Sequence, residues 1–326
     1  ISACLVGSEM CIRDRYIIKV FSDLQNLIQG IRKSLRMISP LIVNIIVGSV
    51  TSPVISTLQI RYASNELLGN YTASTNIASV LDSLVGIINS GLIFGITASK
   101  DREVIKKSFV KGTMYSTLII GFLATGGIIF ANDVTAVLYG SKYVYGGAML
   151  LLQAAALYSV LLGQYGAFLW AVGDTKLLSL TGILGTLTWD IEAIVLILLF
   201  GGAWGFIYAA LLSVYTGGLI TLVLSYRSYK VLPDFKANLR ALMPSLIAGV
   251  IIYPFTLFLT PKYALLLIIP YTLLYVLFSS LFLKAREIYE LLRIVNSDRV
   301  LSKLSSKLLI LIFKLNSIIY NYNIDL

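Results

Sequence analysis

Runs of about twenty apolar residues recur along this chain, each long enough to cross the hydrocarbon core of a bilayer as a helix. No other feature restricts the fold as much. A backbone in lipid must satisfy every N–H and C=O internally, so such runs fold as helices or close into a barrel. Alternation in units of about ten residues, the mark of a barrel strand, does not repeat here. The expectation is an all-α integral membrane protein of about eight transmembrane helices. They are placed at residues 37–60, 71–98, 112–131, 146–172, 177–200, 204–226, 241–259 and 263–283. Composition agrees: charged residues are 13% of the chain, about half the share that keeps an ordinary domain in water.

The distribution of lysine and arginine gives an expected orientation. Arg32, Lys33 and Arg36 precede the first span, and Lys100, Arg102, Lys106, Lys107 and Lys111 lie between the second and third. Lys176, then Arg227, Lys230, Lys236 and Arg240, occupy the next two loops on that side, and a basic tail follows the last span. The opposite loops hold Arg61, Lys142 and Lys262. Spans that alternate direction put the rich loops on one face, which the positive-inside rule makes cytoplasmic, with both chain ends there. The net charge of +10 then reads as topology in the cell membrane, with no nucleic acid expected as a partner.

Residues 1–15 include VGSEMCIRDR, which resembles a translated sequencing adapter, so the protein proper is expected to enter near Tyr16. Cys4 and Cys11 lie in that stretch and histidine is absent, which leaves no material elsewhere for a disulfide framework or a Cys/His metal site. Residues 16–36 read as a cytoplasmic interfacial linker. Residues 284–326 read as an amphipathic basic tail, its leucines at three- and four-residue steps facing lipid and its cations facing anionic headgroups.

A charge in hydrocarbon costs at least about 2.5–3.5 kcal/mol on insertion scales, so each acid inside a span needs an explanation. Asp82 sits in the second span with Thr75 and Asn89 seven residues to either side and Gly86 four residues on, which puts all four on one helix face. That stripe faces either a water-filled cavity or another polar helix, and Asp82 is the leading candidate for an ion, proton or substrate contact. Asp190 and Glu192 in the fifth span lie about 200° apart around their helix and point different ways. Asp190, one turn after Thr186, is favoured for the cavity. Asn44 in the first span completes the substrate-binding or coupling set: Asn44, Thr75, Asp82, Asn89 and Asp190. No phosphate-binding glycine loop ends in Lys-Ser/Thr, so no cofactor is expected. The longest loops on the face opposite the basic one, 61–70 and 132–145, leave no room for a catalytic domain, and enzyme activity is not expected.

Four stretches carry a family resemblance. NELLGNYTAS at 65–74 looks like an acidic–apolar–Gly–Tyr–small connector, and VLYGSKY at 137–143 like a Leu-aromatic-Gly-x-x-Tyr loop. AVGDTK at 171–176 looks like an Ala-x-Gly-x-Thr-Lys turn, and GGAWGFIYAALLSVY at 201–215 like a Gly-x-x-Gly-x-x-x-Ala start to the sixth span. In this order they resemble the polysaccharide and lipid-linked oligosaccharide flippase branch of the multidrug/oligosaccharidyl-lipid/polysaccharide exporter superfamily. The resemblance implies two six-helix lobes around a central cavity, alternating access, and a polyprenyl-linked glycan as substrate. It makes 37–226 the C-terminal six-helix lobe and 227–283 two additional helices, with the N-terminal lobe missing upstream. Membrane lipids and that missing lobe are the other implied partners. The acidic–basic pair of many relatives is replaced here by Ile55 and Ser56, so a mechanism built on that pair is not carried over. A multidrug or organic-cation extruder of the same fold is the first alternative, and a fragment of a membrane-embedded glycan polymerase the second.

Overall fold

The computed structural model describes residues 24–97, 101–143, 145–284 and 287. The segment 1–15, the tail beyond 287 and the Asn89 side chain lie outside the described residues. Every described element is helical. In chain order they are α1 (Leu24–Arg61), α2 (Asn65–Thr97), α3 (Arg102–Ile129), the short α4 (Ala131–Tyr139), α5 (Gly146–Ala156), α6 (Tyr165–Val172), α7 (Thr175–Phe200), α8 (Gly202–Tyr229), α9 (Phe235–Phe258), the single turn α10 (Pro261–Ala264) and α11 (Ile268–Phe282).

All eight expected spans coincide with helix. Six helices are long and apolar enough to cross a membrane, and the bent pair α5–α6 makes a seventh. Helix α2, at 33 residues, is also long enough to cross. The chain is therefore an all-α multi-pass membrane protein. Helix α1 starts at Leu24, ahead of the expected span at 37, and runs without a break through Pro40 and Pro53. At 38 residues it is about 57 Å long, well beyond the thickness of a hydrocarbon core.

Local chemistry sets the ends of the helices. Three helices that rise from the basic face each begin on an aspartate N-cap that uses an otherwise orphaned amide. Asp101 accepts from Glu103 N, Asp174 from Leu177 N and Asp234 from Ala237 N. The negative cap also matches the positive end of the helix dipole. Helix α6 stops at Gly173 in the left-handed region, with φ 78°. On the opposite face the α7–α8 turn needs Gly201 at φ 84°, and Gly202 N donates to the carbonyl of Tyr62, just past the end of α1, at 2.8 Å.

The expected fourth span, 146–172, is a helix in two pieces. Helix α5 tightens into a 3-10 turn over Leu157–Leu162, breaks at Gly163 (φ 97°) and resumes as α6 at an angle of 50°. Glycine takes that φ without the clash a Cβ would bring. The expected loop 132–145 contains α4, which packs beside α5 and α10. Asn70 of α2 ties this outer end together: its Oδ1 accepts from Tyr145 N at 3.1 Å and Gly146 N at 2.9 Å, while its Nδ2 donates to Glu66 O.

Two packing groups result. Helices α7 and α8 form an antiparallel pair on which α1 lies, parallel to α7. Helices α9 and α11 clasp α3, joined through Tyr271 and Tyr275, whose hydroxyls donate to the carbonyls of Phe122 and Leu118. Helices α2, α5 and α6 bridge the two groups.

Candidate functional site

Between these groups lies a cavity of about 1020 Å³. Helices α1, α2, α5, α6, α7 and α8 supply most of its wall. Helix α1 lines it only from Ile38 to Ile45 and α7 only from Leu178 to Gly182. Beyond that level the two helices close on α8 around Ile55, Ala193, Ile197 and Ala209. At the end away from the basic face, Tyr71 meets Phe206 edge-on at 5.4 Å, and Phe206 meets Trp189 at 5.0 Å, which roofs the space with aromatic rings.

Three of the five sequence candidates come together on this wall. Thr75 and Asp82 sit on the same face of α2, as the spacing expected, and Asn44 approaches from α1. Asp82 is exposed to the cavity, whereas Asn44 is set into the α1–α7 contact. Its amide fills the space over Gly182, and its Oδ1 takes the Thr186 hydroxyl at 3.5 Å. Asn89 cannot be compared, its side chain being outside the described residues.

Asp190 does not join them. It is 8% exposed, lies one turn before the Ile55–Ala193–Ala209 cluster, and neither carboxylate oxygen has a hydrogen-bond partner. Thr186 bonds to Asn44 and to its own helix at Gly182 rather than to Asp190. Glu192 points to α8, as the 200° offset required, and its Oε1 accepts from the Thr216 hydroxyl at 2.9 Å while Oε2 has no partner. Both acids therefore belong to the α1–α7–α8 packing.

The sequence reading passed over Gln153, Ser159, Gln164 and Trp170, which also line the cavity. Gln153 Nε2 donates to Thr75 Oγ1 at 3.2 Å, and its Oε1 is left without a partner. A single amide in the otherwise apolar GGAMLLLQAAA was the available signal. Ser159 and Gln164 reach the cavity because the helix breaks between them. A helix interrupted in the membrane is tolerated where it lines a cavity or is buried in protein. Among the described residues, Asp82 is the one charged side chain on the wall. No group of three or more metal-ligating side chains occurs among them.

A bundle of long apolar helices around a cavity with polar side chains on its wall defines a class, the all-α multi-pass membrane proteins. No family model matches the sequence, and no curated protein matches it. Among solved structures the chain is similar to the lipid II flippase MurJ in an inward closed conformation, at 17% identity and TM-score 0.64, covering 80% of this chain and 58% of that one. The chain thus has the fold of that flippase over somewhat more than half its length. A MOP superfamily transporter from Pyrococcus furiosus is also similar, at 15% identity over 86% of this chain and 77% of that one, with a TM-score of 0.45 that is too low to bear on the argument.

Proposed function

We propose that this chain is part of a flippase of the multidrug/oligosaccharidyl-lipid/polysaccharide exporter superfamily, in its polysaccharide branch. It turns a polyprenyl-linked glycan across the cytoplasmic membrane by alternating access, without covalent chemistry. In this reading residues 37–226 are the C-terminal lobe and 227–283 two additional helices, and a second six-helix lobe completes the cavity. The basic face, with both chain ends, is cytoplasmic. The observation that carries the proposal is the cavity itself, a mainly apolar wall on which polar side chains are grouped. Asn44, Thr75, Asp82 and Gln153 face a space walled by helices whose other sides are apolar. Such a wall suits a head group that must cross while its lipid tail stays in hydrocarbon. Asp82 and Thr75 contact the head, Asn44 shapes the wall, and Asp190 acts through the α1–α7–α8 packing. Asn89 continues the Asp82 stripe.

The test is glycan export in cells whose own gene for this chain carries Asp82→Ala. Export falls at least tenfold while the protein remains in the membrane at wild-type level. Wild-type export removes Asp82 from the proposal.

One observation favours a second reading. With Asp82 the only charge on the described wall, an organic cation would meet an attractive site. If deletion of the gene makes cells sensitive to organic cations and leaves surface glycans intact, the protein is an extruder.

A further inference from the structure

The flippase reading concerns a cargo with three chemically different parts: an apolar tail, an anionic phosphate bridge and a glycan rich in hydroxyl groups. The described wall is not neutral among them. Lysine and arginine, the side chains that hold phosphate oxygens by charge-assisted hydrogen bonds, do not line it among the described residues. Its single charge is the Asp82 carboxylate, which only accepts hydrogen bonds when ionised and repels a phosphate. The rest of its polar lining is neutral and includes the Asn44, Gln153 and Gln164 amides and the Thr75, Ser159 and Thr181 hydroxyls. Within this set the Gln153 amide spends its nitrogen on Thr75 and leaves its other end without a partner. That oxygen is buried in this structure, and rotation of the Gln153 side chain toward the cavity lets a ligand donor complete it. Further along the same wall Trp170 is 51% exposed, an apolar face beside polar groups.

We infer that this wall reads the glycan of the cargo and not its phosphates, with Gln153, Thr75 and Asp82 bonding to its hydroxyl or amide groups and Trp170 lying against the apolar face of a sugar further along the glycan. The inference rests on the flippase reading. It means that the groups neutralising the phosphates lie off this wall, and that Gln153 and Asp82 determine specificity for the sugar. Sites built to bond a polar ligand group discriminate strongly against ligands lacking it, because their own polar atoms are then left unpaired.

The experiment is competitive binding to the full-length protein, this chain together with the second lobe that the flippase reading requires, in lipid nanodiscs, followed by native mass spectrometry. The probes are undecaprenyl diphosphate, the same lipid bearing one N-acetylglucosamine, the same lipid bearing a trisaccharide, and tetraphenylphosphonium. Both glycosylated lipids are expected to outcompete the bare diphosphate by about tenfold, a difference of roughly 1.4 kcal/mol. Gln153→Leu and Asp82→Asn each bring the glycosylated lipids down to the affinity of the bare one. Equal binding of bare and glycosylated lipids by the wild type overturns the inference and leaves the flippase reading standing. So does a glycan preference that survives both substitutions. Binding of tetraphenylphosphonium alone, or of no probe, overturns both.

Discussion

The two packing groups of this molecule differ in how much of each helix the protein itself covers. In the apolar window of the α3 span, 56% of the residues are buried inside the protein and in that of α9, 44%; for α1 the share is 6% and for α8 11%. Helices α3, α9 and α11 form a solid wedge in which glycines admit close approach. A Cβ at Gly249 would lie 2.6 Å from Thr125 Cγ2, and one at Gly121 2.6 Å from Leu242 Cδ1. The α1–α7–α8 group is thin. It is held by a few points of close contact, such as Gly182 under Asn44 and Gly202 against the Gln59 carbonyl, and it buries Asp190 with both carboxylate oxygens unpaired. Helices in lipid gain little from burying apolar surface against each other, so packing and hydrogen bonds decide which group is rigid. By that measure α3 and α9 are packed by this chain alone, while the bare sides of α1 and α8 are left for lipid or for the second lobe of the proposed flippase, with the cavity and the broken α5–α6 span between the two groups.

The comparison is most exposed to failure at Tyr271. Its ring is 1% exposed, stacks on Phe122 at 5.0 Å, and its hydroxyl donates to the Phe122 carbonyl at 2.9 Å. Tyr271→Ala is expected to be the most damaging change, approaching the ~3–5 kcal/mol of large-to-small substitution in water-soluble cores but falling below it, since lipid solvates the separated helices. Tyr271→Phe is expected to cost only the hydrogen bond, about 1 kcal/mol. On the other side Gly217→Ala, at a cavity-lining glycine with no neighbour within 4 Å of its would-be Cβ, is expected to leave stability unchanged or raise it by about 0.5 kcal/mol. Thermal unfolding midpoints in detergent check all three. Equal losses at Tyr271→Ala and Gly217→Ala would erase the distinction between the closely packed group and the thin one.

A second and smaller effect has the opposite sign. The Asp190 carboxylate, buried without partners in the thin group, is a cost to the fold. Asp190→Asn is expected to raise the stability by about 1 kcal/mol, read from the same unfolding midpoints. A loss of stability would mean that the carboxylate is held by a favourable contact and that the thin group is more firmly built than its small buried share implies.

Much of this architecture was legible in the sequence, and for physical reasons. The length and apolarity of the spans are imposed by the bilayer, so residues 177–200 and 204–226 map directly onto α7 and α8. The period of the helix places Thr75 and Asp82 on one face whatever packs there, and the structure turns that face to the cavity. What the face of α7 meets, however, depends on tertiary register. Asp190 was expected in the cavity because it is an acid in a span. The α1 contacts at Gly182, and those among Ile55, Ala193 and Ile197, turn it into the interface instead. The break at Gly163 was illegible for a similar reason. Glycine is common inside membrane helices, and neither Gly163 nor Gly166 in LLGQYG announces which of them leaves the helix. Gln153 was visible as a lone amide but acquires meaning only beside Thr75, 78 residues away in sequence.

The smallest expected effect lies outside the membrane, at the edge where the wedge meets the face opposite the basic one. Asp133 of α4 is 8% exposed, and burial pushes its carboxyl above the ordinary value of 3.8. The folded state thus holds the proton more tightly than the unfolded state does. A raised carboxyl pKa contributes stability that is complete below 3.8 and is lost as pH rises through the folded value. At neutral pH the buried charge is a penalty that Asp133→Asn removes, so the variant is expected to melt slightly above the wild type there. The gap closes as the pH is lowered toward 4, where the wild-type carboxyl takes up its proton and both side chains are neutral. Unfolding midpoints of the two proteins at several pH values between 4 and 7 measure this directly. A gap that does not change across that range would show that Asp133 is solvated at the edge of the wedge, and that the tight packing of α3, α9 and α11 ends before α4.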